Sequence, residues 1–315
     1  ALAVIFYPPG SWVLRQESQV VRTPIQQPTP RPSRVSLLFV GDIMLSRSVG
    51  DTMRVRQDWL WPFALIASAT READLAFGNL ETTISSRGAL NGCGFCFRAD
   101  PRAVDGLVFA GFDVLSLANN HTWDYGLVAL EDTFSLVASH GMSAVGAGRS
   151  LAEARGPVLR TVDETTIAYL AYTDILPKSA QATIHRAGVN LYDPVAMTED
   201  IVRARTLADV VVVSFHTGTE YETTHSKHQE LIYHAAIDAG ADLVVGHHPH
   251  VVQDIEQYKG KWIAYSLGNF VFDQNWSLAT RKGVMLDVVV EHGVIASVAT
   301  RSIGISTEYQ PSLSR

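Results

Sequence analysis

The chain has 315 residues, of which 47% are hydrophobic and 18% are charged, and this composition is typical of a globular protein with a buried core. Its net charge of −7 argues against nucleic acid or an anionic membrane surface as a partner, because both require clustered lysine and arginine. The length allows one large domain or two modest ones.

Residues 1–34 differ in composition from the rest of the chain. Residues 1–14 are apolar and uncharged, but they are fewer than the roughly 20 residues that a membrane-spanning helix needs. Residues 16–34 are rich in Gln, Ser, Thr and Pro, which is typical of a semi-extended linker. We interpret residues 1–34 as a truncated signal or anchor remnant with a linker, the simple alternative being a disordered tail. The expected location is extracytoplasmic, with membrane anchoring through this segment.

From residue 35 onward, apolar runs alternate with amphipathic stretches, which is the pattern of an α/β protein. We interpret residues 35–315 as one domain. Strands are predicted over residues 35–40, 73–80, 113–117, 165–172, 209–215, 262–266, 283–291 and 293–303. Helices are predicted over residues 59–71, 101–111, 127–140, 201–208 and 225–239, and a surface loop over residues 178–193.

A histidine-rich stretch follows the last of these helices. The apolar run 241–246 leads into His247, His248 and His250, and Pro249 favours an extended backbone between the last two. In an extended segment alternate side chains share a face, so His248 and His250 are predicted to meet one metal centre while His247 faces the other way. The alternative is a solvated surface cluster.

Five predicted strands end in side chains that can bind metals. In open α/β sheets, functional groups gather beyond the carboxyl ends of the strands. Each residue alone has an ordinary explanation as a turn, cap or loop residue, but their equivalent positions favour one site. The residues are Asp42, Asn79 with Glu81, Asn120 with His121, His216, and His248 with His250.

The types of these side chains restrict the chemistry. Carboxylate, amide and imidazole groups without thiolate suit one or two divalent ions of Mn, Zn, Fe or Mg. Two ions with open positions activate water for attack at phosphorus or at a carbonyl. His121 is then available as a general acid or to stabilise negative charge, and Arg47 lies near enough to contact an anionic substrate.

Cys93 and Cys96 form a C-x-x-C pair and are the 2 cysteines of the chain. Such a pair can be a redox centre, half of a zinc site or a disulfide in a short loop. A tetrahedral zinc site would need further ligands at similar spacing. A local disulfide and two ordinary cysteines stay open as alternatives.

A series of motifs resembles the CapA family of capsule-synthesis proteins, which is associated with poly-γ-glutamate production in bacteria. That family in turn is similar to the calcineurin-like metallophosphoesterases, and the resemblance implies their fold, a central β-sandwich flanked by helices. The motifs are residues 41–47 (GDIMLSR), 79–81 (NLE), 97–101 (FRADP), 118–121 (ANNH), 124–126 (DYG), 216–221 (HTGTEY), 246–250 (GHHPH) and 265–273 (YSLGNFVFD).

The resemblance implies roles for the candidate residues. His121 would be the acid, and the chain departs from the superfamily pattern at Met44, where a histidine is usual, and at Thr217, where a tryptophan is usual. The N-L-E motif that contains Glu81 also replaces G-D-x-x-D, so the first metal position is expected to be weak, altered or empty. The implied ligands are Asp42, Glu81, Asn120, His216, His248 and His250, supported by Asn79, Asn119, His247 and Glu220.

Two functions of different classes follow. The first is a metal-dependent hydrolase or transferase that acts on a phosphoester or on an anionic, poly-γ-glutamate-like polymer. The second is a non-catalytic, membrane-tethered component that assembles or exports polymer together with membrane-embedded capsule-synthesis subunits. A nucleotide-dependent synthetase is disfavoured, because the sequence contains no glycine-rich phosphate loop.

Overall fold

A computed structural model describes residues 34–314, in which 18 strands and 7 α-helices occur. The strands are β1 (Arg34–Ile43), β2 (Leu75–Leu80), β3 (Thr83–Ile84), β4 (Arg98–Ala99), β5 (Val114–Ser116), β6 (Ser143–Val145), β7 (Ala147–Gly148), β8 (Val158–Val162), β9 (Thr165–Thr173), β10 (Gly188–Val189), β11 (Val210–His216), β12 (Leu243–His247), β13 (Ile255–Tyr258), β14 (Lys261–Ala264), β15 (Asn269–Val271), β16 (Lys282–Glu291), β17 (Val294–Ile305) and β18 (Pro311–Leu313). The helices are α1 (Arg47–Arg56), α2 (Ala67–Thr70), α3 (Val104–Ala110), α4 (Gly126–Ser139), α5 (Leu151–Arg155), α6 (Pro194–Arg205) and α7 (Lys227–Ala239).

Most of the strands form two large sheets. The first has the order β18-β17-β16-β1-β2-β5-β6, with β15 beside the end of β1, and the second has the order β13-β14-β12-β11-β9-β8. Strands β1, β2, β5 and β6 are parallel in the first sheet, as are β9, β11, β12 and β14 in the second. Loops that follow neighbouring parallel strands therefore emerge at the same edge of each sheet.

Strand β1 illustrates why these sheets stack. Its apolar side chains alternate between two cores: Leu37 and Phe39 pack with residues of β11 and β12 between the sheets, while Leu38 and Val40 pack toward helices α1 to α4. A third cluster joins the outer face of the second sheet to α6 and α7. A strand that is apolar on both faces must be covered on both faces. The predicted β-sandwich flanked by helices is confirmed.

Two helix predictions were wrong, one in the length of the helix and one in its starting residue. Residues 59–71 contain only the short 3-10 helix Trp61–Phe63 and the four-residue α2, because Pro62 lacks the N–H that a continuous helix would use. Helix α6 begins at Pro194 rather than at residue 201. The Asp193 side chain caps it by accepting hydrogen bonds from two backbone N–H groups, a start signal that the sequence contained.

Two further segments also differ from expectation. Residues 178–193 are not only a surface loop, since β10 lies within them and pairs with β7. The signal or anchor remnant and the linker predicted for residues 1–34 lie outside the described residues, except that Arg34 begins β1. Within residues 34–314, no helix is long and apolar enough to cross a membrane.

Gly41 allows β1 to approach the loop before β15 very closely. A Cβ atom on Gly41 would lie 1.8 Å from the carbonyl oxygen of Gly268, which also accepts a hydrogen bond from the Asp42 N–H. We expect Gly41→Ala to lower the free energy of unfolding by about 3 kcal/mol, measured by urea denaturation. Gly94→Ala is the matched control, because a Cβ there meets no atom within 4 Å. Equal stability of the two variants would contradict this account of the close approach.

Candidate metal centre

The predicted ligands converge where the carboxyl ends of the central parallel strands from the two sheets meet. The first sheet contributes residues from β1 and from the segments after β2 and β5, and the second contributes residues from β11 and from the turn after β12. The side chains brought together include all six predicted ligands, Asp42, Glu81, Asn120, His216, His248 and His250.

The Glu81 carboxylate lies at the centre of this group. Its Oε1 is 3.8 Å from Nε2 of His121, of His216 and of His250. Both carboxylate oxygens are buried and have no hydrogen-bond partner. Burying an ionised carboxylate without a partner costs on the order of several kcal/mol. A divalent ion between the carboxylate and the imidazoles would offset that cost. The residues therefore fit a metal ion.

Asp42 and Glu81 are in opposite electrostatic environments. Burial alone would raise the pKa of Asp42, but the close approach and charge of His247 and His250 hold that pKa well below its usual value. Asn79 also donates from Nδ2 to Asp42 Oδ1 at 2.8 Å. Burial raises the pKa of Glu81 well above its usual value, and the negative charge of Asp42 raises it further. In the metal-free protein these environments favour the ionised form of Asp42 and the protonated form of Glu81.

Two histidines of the centre, His216 and His248, favour the neutral form. Burial and the proximity of His250 lower the pKa of His248 to about 3, and burial followed by His248 lowers the pKa of His216 well below its usual value. A neutral imidazole keeps a lone pair available for a metal. His216 Nε2 lies 2.8 Å from Asn120 Oδ1, while His248 Nδ1 is buried with no hydrogen-bond partner.

Two groups of three ligand atoms share His250. One group is Asp42, Glu81 and His250, the other is Glu220, His248 and His250, and within each group the atoms lie within 4.8 Å of one another. Glu220 is exposed, whereas the other four residues are buried. Sequence reasoning gave Glu220 only a supporting role, but its position allows direct ligation. Carboxylate and imidazole donors of this kind suit divalent ions.

Met44 removes one nitrogen ligand from the first group. Its side chain is buried, and its sulfur accepts hydrogen bonds from the Ser46 backbone N–H at 3.2 Å and from the Ser46 hydroxyl at 3.1 Å. A thioether engaged in this way is a poor donor to a hard divalent ion. With methionine here, this group of candidate ligands lacks the nitrogen that a histidine at this position would offer.

His121 is oriented by Asp124, which the sequence analysis did not select as a site residue. His121 Nδ1 lies 2.7 Å from Asp124 Oδ2, and the Phe97 ring stacks on the imidazole with 3.7 Å between centroids. Asn119 Oδ1 accepts a hydrogen bond from the His121 backbone N–H. The available signal was the position of Asp124 in the DYG motif, three residues after His121.

An open cavity of about 410 Å³ leads from the solvent to this centre. Arg47 lines it and forms an ion pair with Asp273 at 3.1 Å. The exposed Trp276 and the half-buried Asn120 also line it. Arg47 therefore lies at the predicted edge, and Asp273 is its partner, which sequence reasoning missed because the two residues lie far apart in the chain.

Four of the nine non-glycine residues with positive φ in the described part of the chain lie at the site. Positive φ values occur at Arg47 (49°), Tyr221 (68°), His248 (97°) and His250 (59°). The expectation of an extended histidine stretch was therefore wrong: β12 ends at His247, and the chain turns before both rings reach the centre. Such conformations cost on the order of 1–3 kcal/mol each and cluster at functional sites.

His247 lies on the core side of β12. Its ring is 6.2 Å from the Phe77 ring, and both of its nitrogens are buried without a hydrogen bond. Its Nδ1 is nevertheless 3.5 Å from Asp42 Oδ1, so it does not face away from the centre. His247 therefore approaches one carboxylate oxygen of Asp42, and His250 approaches the other.

Comparison with known proteins places this geometry in a family. The sequence profile described as "Bacterial capsule synthesis protein PGA_cap" matches residues 36–274. The chain belongs to this family. PGA_cap relatives include "PGA biosynthesis protein CapA" of Bacillus subtilis (strain 168), 38% identical over 77% of this chain and 64% of that protein. Another is "Capsule biosynthesis protein CapA" of Bacillus anthracis, 34% identical over 85% of this chain and 66% of that protein. The chain thus spans slightly less than two thirds of each relative.

Solved structures support the PGA_cap fold assignment. A hypothetical protein from Thermus thermophilus has a TM-score of 0.53 at 16% identity, with 85% of this chain and 98% of that chain covered. A candidate 5′-nucleotidase from Staphylococcus aureus has a TM-score of 0.52 at 15% identity, with 90% of this chain and 53% of that chain covered. At these identities the similarity concerns the fold alone. The expected calcineurin-like metallophosphoesterase fold is confirmed.

Proposed function

We propose that this PGA_cap-family chain is a metal-dependent hydrolase or transferase of poly-γ-glutamate capsule biosynthesis. The observation that carries the proposal is the buried, unpartnered carboxylate of Glu81, which lies 3.8 Å from three imidazole nitrogens. The names of the two Bacillus relatives assign those proteins to PGA or capsule biosynthesis, which supports the substrate class.

The charge of the site supports a requirement for metal. Arg47 is the one cationic lysine or arginine side chain among the described residues that line the cavity, and Asp273 already pairs with it. Asp124 and Glu220 also line the cavity. An anionic polymer or phosphoester would be repelled by these carboxylates unless bound cations reversed the local charge.

The chain's own residues supply the remaining chemistry. Divalent ions held by Asp42, Glu81 and the histidines would polarise a phosphoryl or carbonyl oxygen and activate water. His121 is placed to donate a proton to the leaving group, because Asp124 holds its Nδ1 and its Nε2 faces the centre. Arg47, 34% exposed at its side chain, is available to bind an anionic group of the substrate.

Metal loading and turnover test this proposal together. Protein incubated with Mn²⁺ or Zn²⁺ and then desalted is expected to retain bound metal by elemental analysis. The loaded protein is expected to hydrolyse phenyl phosphate or bis-p-nitrophenyl phosphate, or to shorten poly-γ-glutamate on size-exclusion chromatography, and EDTA should abolish the activity. Protein that retains no metal after loading contradicts the proposal.

A non-catalytic role in polymer assembly or export is the second candidate. The hydrogen bonds from Ser46 to the Met44 sulfur favour this role, because a sulfur engaged in this way leaves the first ion position with fewer ligands. Cells that lack the protein can be complemented with the His121→Gln variant, which is expected to retain metal. Normal polymer output would favour the assembly role, whereas lost output with retained metal would favour catalysis.

We also propose an extracytoplasmic location and contact with membrane-embedded capsule-synthesis subunits. The disulfide between Cys93 and Cys96 supports the location, because disulfides persist in oxidising compartments. The composition of residues 1–34 is that of an apolar segment with a proline-rich tether. Cell fractionation with a tagged chain tests the location, and recovery in the cytoplasmic fraction would contradict it.

A further inference from the structure

A loop closed by a disulfide lies at the mouth of the candidate metal centre. Residues 86–96, here termed the disulfide loop, lie between β3 and β4 and contain no helix or strand. Cys93 and Cys96 are bonded to each other, which selects one of the alternatives that the sequence left open. Phe95, between them, is 74% exposed and lines the cavity.

Asp124 connects the disulfide loop to His121. The backbone carbonyl of Asp124 accepts a hydrogen bond from the Asn91 N–H at 2.9 Å and lies 3.7 Å from Cys93 Sγ. Its carboxylate Oδ2 accepts a hydrogen bond from the Phe97 N–H at 2.7 Å and lies 2.7 Å from His121 Nδ1. Phe97, directly after the loop, and the imidazole therefore share one carboxylate oxygen.

Aromatic contacts form a second connection. The Phe97 ring, which directly follows the loop, stacks on His121 with 3.7 Å between centroids. The Arg47 guanidinium lies 5.3 Å from the Phe97 ring centroid and 5.7 Å from that of Phe95. The loop thus contacts the proposed anion-binding side chain through Phe95, and the next residue after the loop, Phe97, contacts both that side chain and the proposed proton donor.

We propose that the Cys93–Cys96 disulfide is a positioning device for His121. The inference rests on the proposed function, in which His121 donates a proton. The disulfide restricts an otherwise exposed loop, and this restriction keeps the Asn91 and Phe97 N–H groups on Asp124. Without it, Asp124 loses those donors and His121 loses its fixed orientation, while the metal ligands on the strand ends stay in place.

Reduction of the disulfide in the Zn²⁺-loaded protein tests the device. Tris(2-carboxyethyl)phosphine supplies two electrons and is oxidised to its phosphine oxide with an oxygen from water, while each sulfur takes up one proton. Hydrogen exchange at the Phe97 amide is expected to accelerate about tenfold or more. The kcat for phenyl phosphate is expected to fall about tenfold, with KM and bound zinc unchanged, because a misplaced proton donor affects the reaction step rather than binding.

Two controls separate positioning from general loosening. The Cys93→Ser/Cys96→Ser double variant should match the reduced protein and should not respond further to the phosphine. Exchange at the Ile84 amide, which donates to Thr133 Oγ1 at 2.9 Å, should stay unchanged. Restored exchange protection and kcat after reoxidation of the wild-type protein would show that the effect is reversible.

Three outcomes would overturn the proposal. The first is unchanged exchange at Phe97 in protein whose two thiols have been titrated as free. The second is loss of zinc in parallel with loss of activity, which would indicate collapse of the centre. The third is a rise in KM with constant kcat, which would assign the loop to substrate binding. If oxidised protein shows no turnover, the proposed function fails, but exchange at Phe97 still decides whether the disulfide holds the loop on Asp124.

Discussion

Glu81→Gln is expected to remove most of the affinity for divalent ions and to leave the metal-free fold intact. The substitution keeps the size of the side chain but removes a carboxyl group, able to ionise when metal binds, whose Oε1 lies 3.8 Å from three imidazole nitrogens. Loss of this central ligand should weaken binding by about 100-fold or more, since even residues that only support ligands contribute 10–100-fold. Titration calorimetry with Mn²⁺ or Zn²⁺ measures the change.

The stability of the metal-free protein tests the protonation state of Glu81. Its pKa in the folded protein is raised, first by burial and then by the charge of Asp42. The contribution of the protonated Glu81 to the free energy of unfolding is therefore fully present below the unfolded-state pKa, about 4.3. It is lost as pH rises through the folded-state pKa. Glu81→Gln lacks this ionisation. Its free energy of unfolding, measured by urea denaturation, should therefore fall less than that of the wild type as the pH is raised.

Metal-linked stabilisation separates the variant from the wild type. At a free metal concentration of 100 times Kd, the wild-type protein should gain about 2.7 kcal/mol of stability, and the variant should gain much less at the same concentration. Glu131→Gln, at an exposed position of α4, is the matched control and should behave as the wild type. Equal metal affinity in Glu81→Gln and Glu131→Gln would remove Glu81 from the centre.

The sandwich was predictable because its central strands are buried on both faces. Continuous apolar runs such as residues 35–40 and 209–215 correspond to parts of β1 and β11, which lie between a helix layer and the other sheet. Helix α1 was harder to predict. Its sequence, RSVGDTMRVR, includes glycine and β-branched residues of low helix propensity, and it is held by burial of Val49 and Met53. That burial depends on tertiary packing.

The convergence of the candidate ligands was predictable for a related reason. Polar residues that follow parallel strands are brought to one edge by the sheet. Their positions in the chain are therefore sufficient to predict that they lie close together. Asp124 and Asp273 were not found, because their contacts with His121 and Arg47 depend on how loops fold over that edge. The positive φ of His248 was equally hidden, since alternation along an extended strand predicts a different path to the same centre.

His121→Gln is expected to lower kcat by about 10²- to 10⁴-fold, the usual contribution of a general acid. The bound metal and KM should change little, because all of the predicted metal ligands remain to hold the ions. His121 Nε2 faces the Glu81 carboxylate, and its Nδ1 is held by Asp124, so the ring presents one nitrogen to a substrate. Steady-state kinetics with phenyl phosphate, alongside elemental analysis, measure the change.

The leaving group determines whether His121 acts as an acid. A p-nitrophenolate departs readily without a proton, whereas a phenolate or an alkoxide requires one, so His121→Gln should slow hydrolysis of phenyl phosphate far more than hydrolysis of p-nitrophenyl phosphate. His140→Gln, at an exposed position just after α4, is the matched control and should slow neither. Equal losses on both substrates would assign His121 to charge stabilisation, because stabilising charge on the phosphoryl group does not depend on the leaving group. Loss of metal from His121→Gln would instead make His121 a ligand, and Glu81 would then share its ion with a residue that Asp124 orients.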